Sequence, residues 1–351
     1  MKVTTIGLDL AKSVIQVHGV DKDGNPVLRR QLRREQVLAF FVKLQPCVIG
    51  MEACTGAHYW SRKLQAQGHT VRIMPAQFVK PYVKTNKNDV ADAEAICEAV
   101  GRKNMRFVPI KSPEQQAVLA LHRARQAMIK ARTAQAHQIR GVLAEVGIVF
   151  AQGIKQIPKR VPALLEQAGD ELPGTLAALI PGLVEHLKYL DRQVQELENE
   201  IKRWHRRSEP SRQLERVPGI GALTASALVA SIADARQFKN GRQMGAWLGI
   251  VPAQHSSGGK THLLGISKRG DPYLRTLLVH GARAVIGQAT RPSAKHRDPW
   301  LQRLLARRGK NVAAVALANR NARIVWAMLA HGRPYEPRVG TLEPRDNPTQ
   351  A

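Results

Sequence analysis

Four carboxylates in the first hundred residues have the spacing and surroundings that metal chemistry requires. Asp9 lies within the apolar run VTTIGLDLAK, and Glu52 follows a second apolar run in CVIGMEAC. Asp89 and Asp92 stand three residues apart at the start of a predicted helix, so their side chains share one face. Because acids are costly to bury unpaired, we expect all four to be catalytic and to hold a metal. Ligation by oxygen alone favours Mg²⁺ or Mn²⁺, ions that assist phosphodiester cleavage.

The elements around these acids predict an α/β domain. Apolar alternation predicts strands over residues 3–9, over VIQVHGV and over VLRRQL, which form an antiparallel meander with the turn DKDGNP. Helical and strand patterns then alternate as far as a helix over residues 88–100. Acids on the first strand, the fourth strand and a later helix indicate an RNase H-like (RuvC-like) fold, by analogy. Each acid taken singly is better explained as a turn or helix cap than as a catalytic group.

The charge balance predicts a polyanionic partner. Lys and Arg number 54 against 27 Asp and Glu, a formal net charge of +27, which is typical of nucleic-acid binding. The sequence has no long apolar run and no signal peptide, so we expect no membrane partner. Three scattered cysteines, Cys47, Cys54 and Cys97, have no zinc spacing and predict buried thiols in a reducing cytoplasm.

The middle of the chain is predicted to be helical. Residues 113–147 favour one long helix, whose basic face either follows a phosphate backbone or is simply solvated. From Leu183 to Trp204, apolar residues recur at alternating steps of four and three, which predicts a coiled-coil seam. The partner of this seam lies either in the same chain or in a second subunit, and a dimer is the favoured interpretation.

The last third of the chain carries glycine turns among cations. Gly219 and Gly221 precede an alanine-rich helix and predict a phosphate clamp of the helix-hairpin-helix kind, or else a plain turn. Further along, the segment GAWLGIVPAQHSSGGKTHLLGISKRGDPYLR contains two adjacent serines. A hydroxyl among cations can attack phosphorus, although Ser-Gly-Gly is also a common flexible turn. The cations predicted to contact nucleic acid in this segment are Lys260, Lys268, Arg269 and Arg275.

Taken together, these motifs closely resemble the DEDD-type insertion-sequence transposases, which are also called bridge-RNA-guided recombinases and are relatives of the Piv-type invertases. The resemblance carries the acid quartet over to Asp9, Glu52, Asp89 and Asp92. It also implies a catalytic serine before a small residue and Gly-Lys, which selects Ser257 and leaves Ser256 as the alternative. The sequence has Ile250 where the family pattern has leucine, a conservative departure.

The resemblance, with the sequence pattern, predicts four segments. These are a RuvC-like catalytic domain over residues 1–155, a helical coiled-coil arm over 156–206 and a mostly α-helical, serine-containing transposase domain over 207–335. Residues 336–351, rich in Pro, Arg, Asn and Thr, are expected to form a disordered tail.

The resemblance implies a DNA transposase or site-specific recombinase that cuts and rejoins donor and target DNA under the guidance of a structured noncoding bridge RNA. A homodimer that assembles to a tetramer, in the bacterial cytoplasm and at the nucleoid, is expected. Two alternatives remain open from the residues. One is a Holliday-junction-type, Mg²⁺-dependent endonuclease without a covalent intermediate, and the other is a non-catalytic nucleic-acid-binding scaffold.

Overall fold

A computed structural model of the chain describes residues 2–84, 88–169, 172–291 and 298–336. Residues up to Gln116, together with Ile232–Gln237, form one unit. Ala117–Ser231 and the residues from Phe238 onward form the other. Of the tail predicted over 336–351, all but Glu336 lies outside the described residues.

The first unit is built around a five-stranded mixed sheet. Its strands are β1 (Thr5–Leu10), β2 (Val14–Val20), β3 (Pro26–Arg33), β4 (Val48–Glu52) and β5 (Thr70–Met74). Its helices are α1 (Val37–Phe41), α2 (Ala57–Gln65), α3 (Ala76–Val79) and α4 (Asp89–Val100). The predicted meander followed by alternating helices and strands is confirmed.

The sheet has the strand order β3-β2-β1-β4-β5. β1 pairs antiparallel with β2 and parallel with β4, and β5 continues the parallel side. Ile6 and Leu8 of β1 and Ile49 and Met51 of β4 are fully buried, because these two central strands are covered on both faces. The carboxyl ends of β1 and β4 therefore reach the same edge of the sheet, where Asp9 and Glu52 lie.

The second unit is mostly helical. Helix α5 (Pro113–Glu145) has its first turn in the first unit and the rest in this one. The other helices are α6 (Ile157–Ala168), α7 (Gly174–Arg207), α8 (Glu209–Glu215), α9 (Ala222–Ser231), α10 (Gly241–Trp247), α11 (Pro272–Ala289), α12 (Pro299–Arg307) and α13 (Lys310–His331). Its two strands, β6 (Pro252–Ser257) and β7 (Lys260–Ile266), form an antiparallel hairpin.

The basic face predicted for the long helix α5 is partly used inside the second unit. Arg125 forms an ion pair with Glu198 at 2.6 Å, and Arg132 forms one with Asp191 at 2.5 Å. Both acids belong to α7. Arg140 donates hydrogen bonds to main-chain carbonyls instead. The prediction that α5 presents a continuous phosphate-binding face is therefore wrong for Arg125, Arg132 and Arg140, because their guanidinium groups already have partners within the chain.

The predicted seam on α7 is buried by the chain itself. Leu187 packs in one core with Ile139 of α5 and Val161 of α6, while Leu190 and Ile201 are also buried. Leu183 and Leu197 are half-buried. For the buried residues of the seam, the spacing therefore reflects helix packing within this chain.

Replacing Leu190 by lysine is expected to destabilise the fold by about 3 kcal/mol or more, since a charge would occupy a closed apolar site. Thermal unfolding of the purified variant measures the loss as a lower Tm. Gln195→Lys, at an exposed position of the same helix, is the matched control and should leave the Tm nearly unchanged. An unchanged Tm for Leu190→Lys with an altered light-scattering mass would contradict this and place the residue between subunits.

Two other sequence predictions can be checked on the described residues. Cys47 and Cys97 are buried, whereas Cys54 is exposed, so the prediction of three buried thiols is wrong for Cys54. Cys54 follows the end of β4, where the chain leaves the sheet. Among the helices of the described ranges, none combines the length and the apolar character that crossing a bilayer requires.

Candidate functional site

The two central strands carry the same glycine-to-acid spacing. Gly7 precedes Asp9 by two residues on β1, and Gly50 precedes Glu52 by two residues on β4. Side chains two residues apart share one face of a strand. The parallel register pairs Gly7 with Gly50, so each acid stands two residues beyond the paired glycines, on neighbouring strands. This repeated tripeptide, glycine, apolar residue, acid, is a signal that the sequence analysis missed.

Helix α4 lies directly on these two glycines. A Cβ atom added to Gly7 would stand 2.2 Å from the Ala93 carbonyl oxygen and 2.4 Å from the Cys97 nitrogen. A Cβ atom added to Gly50 would stand 2.7 Å from the Cβ of Val100. Real Cβ atoms do not approach other atoms so closely, so the helix can rest here only because both strand positions lack a side chain.

The start of α4 is fixed by a side-chain cap. Asn88 accepts a hydrogen bond from the Ala91 main-chain nitrogen at 2.8 Å, the usual contact of an N-cap asparagine. Asp89 and Asp92 lie in the first turn, three residues apart on one face of the helix. The cap and the glycine contacts together hold this turn at the carboxyl end of β1.

Three of the four predicted acids converge. Carboxylate oxygens of Asp9, Asp89 and Asp92 all lie within 4.8 Å of one another. Glu52 is outside this trio, at the end of the adjacent strand. Oxygen atoms at this separation can share one divalent cation, since hard cations take carboxylate ligands at short distances. The structure therefore contains an acidic cluster that suits a divalent metal.

The surroundings of Asp9 disfavour the charged form of its carboxyl group. Burial, together with the negative charges of Asp89, Asp92 and Glu52, raises the pKa of its carboxyl to about 6. A bound metal would supply positive charge beside these carboxylates and displace the proton, so the donor set fits a divalent ion by its chemistry as well as by its distances.

In metal-free protein, Asp9→Asn is expected to raise the Tm near pH 7.5. The pKa of Asp9 is higher in the folded state than its ordinary value of 3.8, so charging it costs stability as the pH rises through about 6. Above that pH the whole penalty is present, and below about pH 4 it vanishes. We expect a gain of roughly 1–2 kcal/mol, since water screens a half-buried carboxyl.

The measurement is a series of thermal melts in EDTA between about pH 4 and pH 8. Asp23→Asn, at an exposed position in the turn between β2 and β3, is the control and should show no such pH-dependent gain. Adding Mg²⁺ should stabilise the wild type more than Asp9→Asn. Parallel pH profiles for Asp9→Asn and the wild type would rule out the electrostatic cost.

The second predicted set, the serine and its cations, begins on the β6–β7 hairpin. Gly258 and Gly259 form the two-residue turn, with φ angles of +54° and +77° that favour glycine. Ser257 is the last residue of β6 and pairs with Lys260, the first residue of β7. Both side chains are exposed. A substrate could therefore reach the Ser257 hydroxyl and the Lys260 ammonium group together.

The other predicted cations divide into two kinds. Lys268 and Arg269 are exposed after β7, and the φ angle of +54° at Lys268 is rare for a residue with a side chain. Arg275 instead donates hydrogen bonds to the carbonyls of Leu248 and Gly270, at 3.2 and 3.3 Å. Arg275 therefore holds the loop that follows the hairpin, in addition to any contact with phosphate.

The predicted phosphate clamp is a turn between α8 and α9. Gly219 has a φ angle of +89° and approaches Gly281 of α11, where an added Cβ would stand 3.0 Å from a carbonyl oxygen. Asn321 donates a hydrogen bond to the neighbouring Pro218 carbonyl. Gly221 is exposed and has open space around it. Gly219 thus has a clear structural role, while Gly221 leaves the start of α9 open to an anion.

An open groove of about 1920 Å³ in the second unit was not foreseen from the sequence. Its walls combine arginines, among them Arg242 and Arg323, with aromatic rings such as Trp300, and Arg320 also lines it but forms an ion pair with Asp298. The Arg320 guanidinium lies 4.7 Å from the centre of the Trp300 ring. Arginines interleaved with aromatic residues suit nucleic-acid binding, because the arginines pair with phosphates and the rings stack on bases. Arg320 and Arg323, three residues apart on α13, were the sequence feature that could have predicted this basic groove.

The acids and the serine hairpin belong to different units. The structure brings Asp9, Asp89 and Asp92 together in the first unit and pairs Ser257 with Lys260 in the second. The sequence predicted the correct kind of element for the four acids, whereas the β6–β7 hairpin that carries Ser257 and Lys260 was not predicted.

Two family models match the chain, one in each part. A model described as "Transposase", for DEDD transposases of IS110 elements, matches residues 6–148, and this range includes all four acids. A model described as "Transposase IS116/IS110/IS902 family" matches residues 211–298, a range that includes Gly219, Ser257 and Arg275.

Relatives from several bacteria are similar over nearly the whole chain. A "Probable family 20 transposase" of Pseudomonas aeruginosa is 50% identical over 338 residues, which are 96% of this chain and 100% of the relative. The transposase for insertion sequence element IS1328 of Yersinia enterocolitica is 42% identical over 94% of this chain and 98% of its own length. The transposase for element IS1111A of Coxiella burnetii is 41% identical over 95% and 91%.

Proposed function

Since this chain belongs to the IS110/IS116/IS902 family of transposases, we propose that it cuts donor and target DNA and rejoins the strands during movement of an insertion sequence. The observation that carries the proposal is the convergence of Asp9, Asp89 and Asp92 within 4.8 Å, inside the region matched by the DEDD model. Glu52, on the adjacent strand, completes the proposed catalytic quartet.

The first unit supports an RNase H-like, RuvC-like assignment. Three antiparallel strands followed by two parallel ones, in the order β3-β2-β1-β4-β5, are the arrangement expected of that fold. Its acids lie at the carboxyl end of the central strand and on a helix packed across it. We keep the proposed segments, with a catalytic domain over 1–155, a helical arm over 156–206 and a serine-containing domain over 207–335.

Asp9, Glu52, Asp89 and Asp92 would hold Mg²⁺ or Mn²⁺. When bound, such an ion neutralises charge on a scissile phosphate and makes its phosphorus easier to attack. The protein's own contribution is the fixed separation of the carboxylates, which α4 and the two glycines impose. The raised pKa of Asp9 supports this assignment, because burial and the neighbouring carboxylates disfavour its ionised form and a bound cation would offset them.

Ser257 is the proposed nucleophile. Its exposure at the tip of the hairpin leaves its hydroxyl accessible, and Lys260 stands opposite it to pair with a phosphoryl oxygen. Ser256 shares the same strand, but its hydroxyl accepts a hydrogen bond from the Gln254 amide at 2.8 Å. A covalent phosphoserine would preserve the bond energy that rejoining requires.

The partners of the chain follow from its charge and its family. Lys and Arg exceed Asp and Glu by 54 to 27, which suits DNA and a structured noncoding bridge RNA that pairs with donor and target. Gly219, Gly221, Lys260, Lys268, Arg269 and Arg275, with the arginine groove, are the proposed contacts. We further propose a homodimer that assembles to a tetramer, in the bacterial cytoplasm at the nucleoid.

The proposal is tested by looking for a covalent protein–DNA adduct. Purified protein, RNA transcribed from the flanks of the gene and labelled duplex spanning the junction of the element are incubated with Mg²⁺ or with EDTA. An adduct that requires Mg²⁺ supports a recombinase. Cleavage without an adduct would favour a junction endonuclease, and binding without cleavage would favour a scaffold.

A further inference from the structure

The pairing register of the β6–β7 hairpin places two histidines on the same face as Ser257. Ser257 lies opposite Lys260, and His255 lies opposite His262. Successive residues of a strand point to opposite faces, so these two pairs share one face. Ser256, opposite Thr261, and Gln254, opposite Leu263, share the other. Directly opposed side chains have Cβ atoms about 4.5–5.5 Å apart.

The other face of β6 shows how far side chains two residues apart can reach. The Gln254 amide nitrogen and the Ser256 hydroxyl oxygen are separated by the same two residues as His255 and Ser257, and they lie 2.8 Å apart. An imidazole has about the same reach as a glutamine side chain, so the same spacing suffices for His255 to meet the Ser257 hydroxyl. His255, Ser257, Lys260 and His262 are all exposed, so substrate could reach this face.

A serine hydroxyl is a weak nucleophile unless a neighbouring group takes its proton. Histidine is the side chain best suited to that role near neutral pH. We propose that His255 is the general base for Ser257, an inference that rests on the proposed role of Ser257 as nucleophile. Lys260 and His262 are the other titratable groups on this face of the hairpin, and Lys260 faces the phosphoryl oxygens.

In the proposed step, attack by Ser257 on phosphorus is coupled to the loss of its proton to His255. The Ser257 Oγ proton moves to a ring nitrogen of His255 while Oγ forms a bond to phosphorus. The bond from phosphorus to the deoxyribose oxygen breaks, and that oxygen leaves with the electron pair and takes a proton from water. On rejoining, a deoxyribose hydroxyl attacks the phosphoserine and loses its proton to water. Ser257 Oγ leaves and recovers the proton from the His255 imidazolium.

The test measures the rate of adduct formation on Ser257, with the same protein, flank RNA and junction duplex, between about pH 6 and pH 9. His255→Gln is expected to slow adduct formation by about 10²- to 10⁴-fold at neutral pH. Its rate should keep rising with pH, because hydroxide replaces the lost base. His255→Ala should recover part of its rate when free imidazole is added, which a purely structural role would not allow.

Gln254→Ala, on the other face of β6, is the matched control and should keep the wild-type rate and pH profile. Unchanged DNA binding and Tm in His255→Gln are expected, since the hairpin is exposed. A wild-type rate in His255→Gln with an adduct still on Ser257 would overturn the base assignment alone. An absence of any Ser257 adduct in the wild type would overturn both this inference and the proposed nucleophile.

Discussion

Asp92→Asn is expected to lower DNA strand cleavage by about 10³-fold or more while leaving DNA binding nearly intact. Asparagine keeps the shape of the side chain but removes one of the three negative charges that converge within 4.8 Å. The substitution therefore weakens the binding of a divalent ion without disturbing the cap of α4, which Asn88 provides. The measurement compares cleavage of the junction duplex with its binding at saturating RNA.

Glu98→Gln is the control for this substitution. Glu98 lies further along the same helix and pairs with Lys84 and Arg102 away from the acidic cluster. Its replacement should lower cleavage little. Raising the Mg²⁺ or Mn²⁺ concentration should restore part of the activity of Asp92→Asn if weakened ion binding is the cause. Wild-type cleavage by Asp92→Asn would remove the metal assignment.

Ser257→Ala is expected to abolish the covalent adduct and to lower strand exchange by about 10³-fold or more. The residue is exposed at the end of β6, so its loss should change neither the fold nor the binding of RNA and DNA. Ser257→Cys should retain a trace of adduct, because a thiolate attacks phosphorus weakly. Mass spectrometry of digested adducts should place the DNA remnant on the peptide around Gln254 to Lys260.

Ser256→Ala provides the adjacent comparison. Its hydroxyl points to the other face of the hairpin and is hydrogen-bonded to Gln254, so we expect a mild effect. An adduct mapped to Ser267 or Tyr273 would refute the assignment of Ser257. DNA cleavage in wild-type protein with no adduct on any residue would favour hydrolysis directed by the carboxylates alone.

The sequence carried enough information to place the acids on their elements. The apolar alternation around Asp9 and the i, i+3 spacing of Asp89 and Asp92 depend on local geometry, and both predictions are confirmed. The mixed sheet could also be predicted, because β-hairpin and helix–strand patterns are short-range signals. Convergence of the acids could only be inferred from the need to neutralise charge.

What could not be predicted depends on contacts between distant residues. Nothing near Leu190 in the sequence says whether its partner belongs to the same chain, since a seam has the same spacing in either case. The partners of Arg125 and Arg132 lie more than fifty residues away on α7. Arg320 and Trp300 form the groove wall only because α12 and α13 pack together.

The contact of Gly7 with α4 sets how closely the backbone that carries Asp89 and Asp92 approaches the strand that carries Asp9. The 2.2 Å that would separate a Cβ at this position from the Ala93 carbonyl leaves no room for even a methyl group. Substitutions on the solvent-exposed side of α4 should leave the position of the helix on β1 unchanged, because the side chains on that side do not contact the strand. Gly7→Ala would push α4 away from β1 and so displace Asp89 and Asp92 together, which is one way to widen the site for a larger cation.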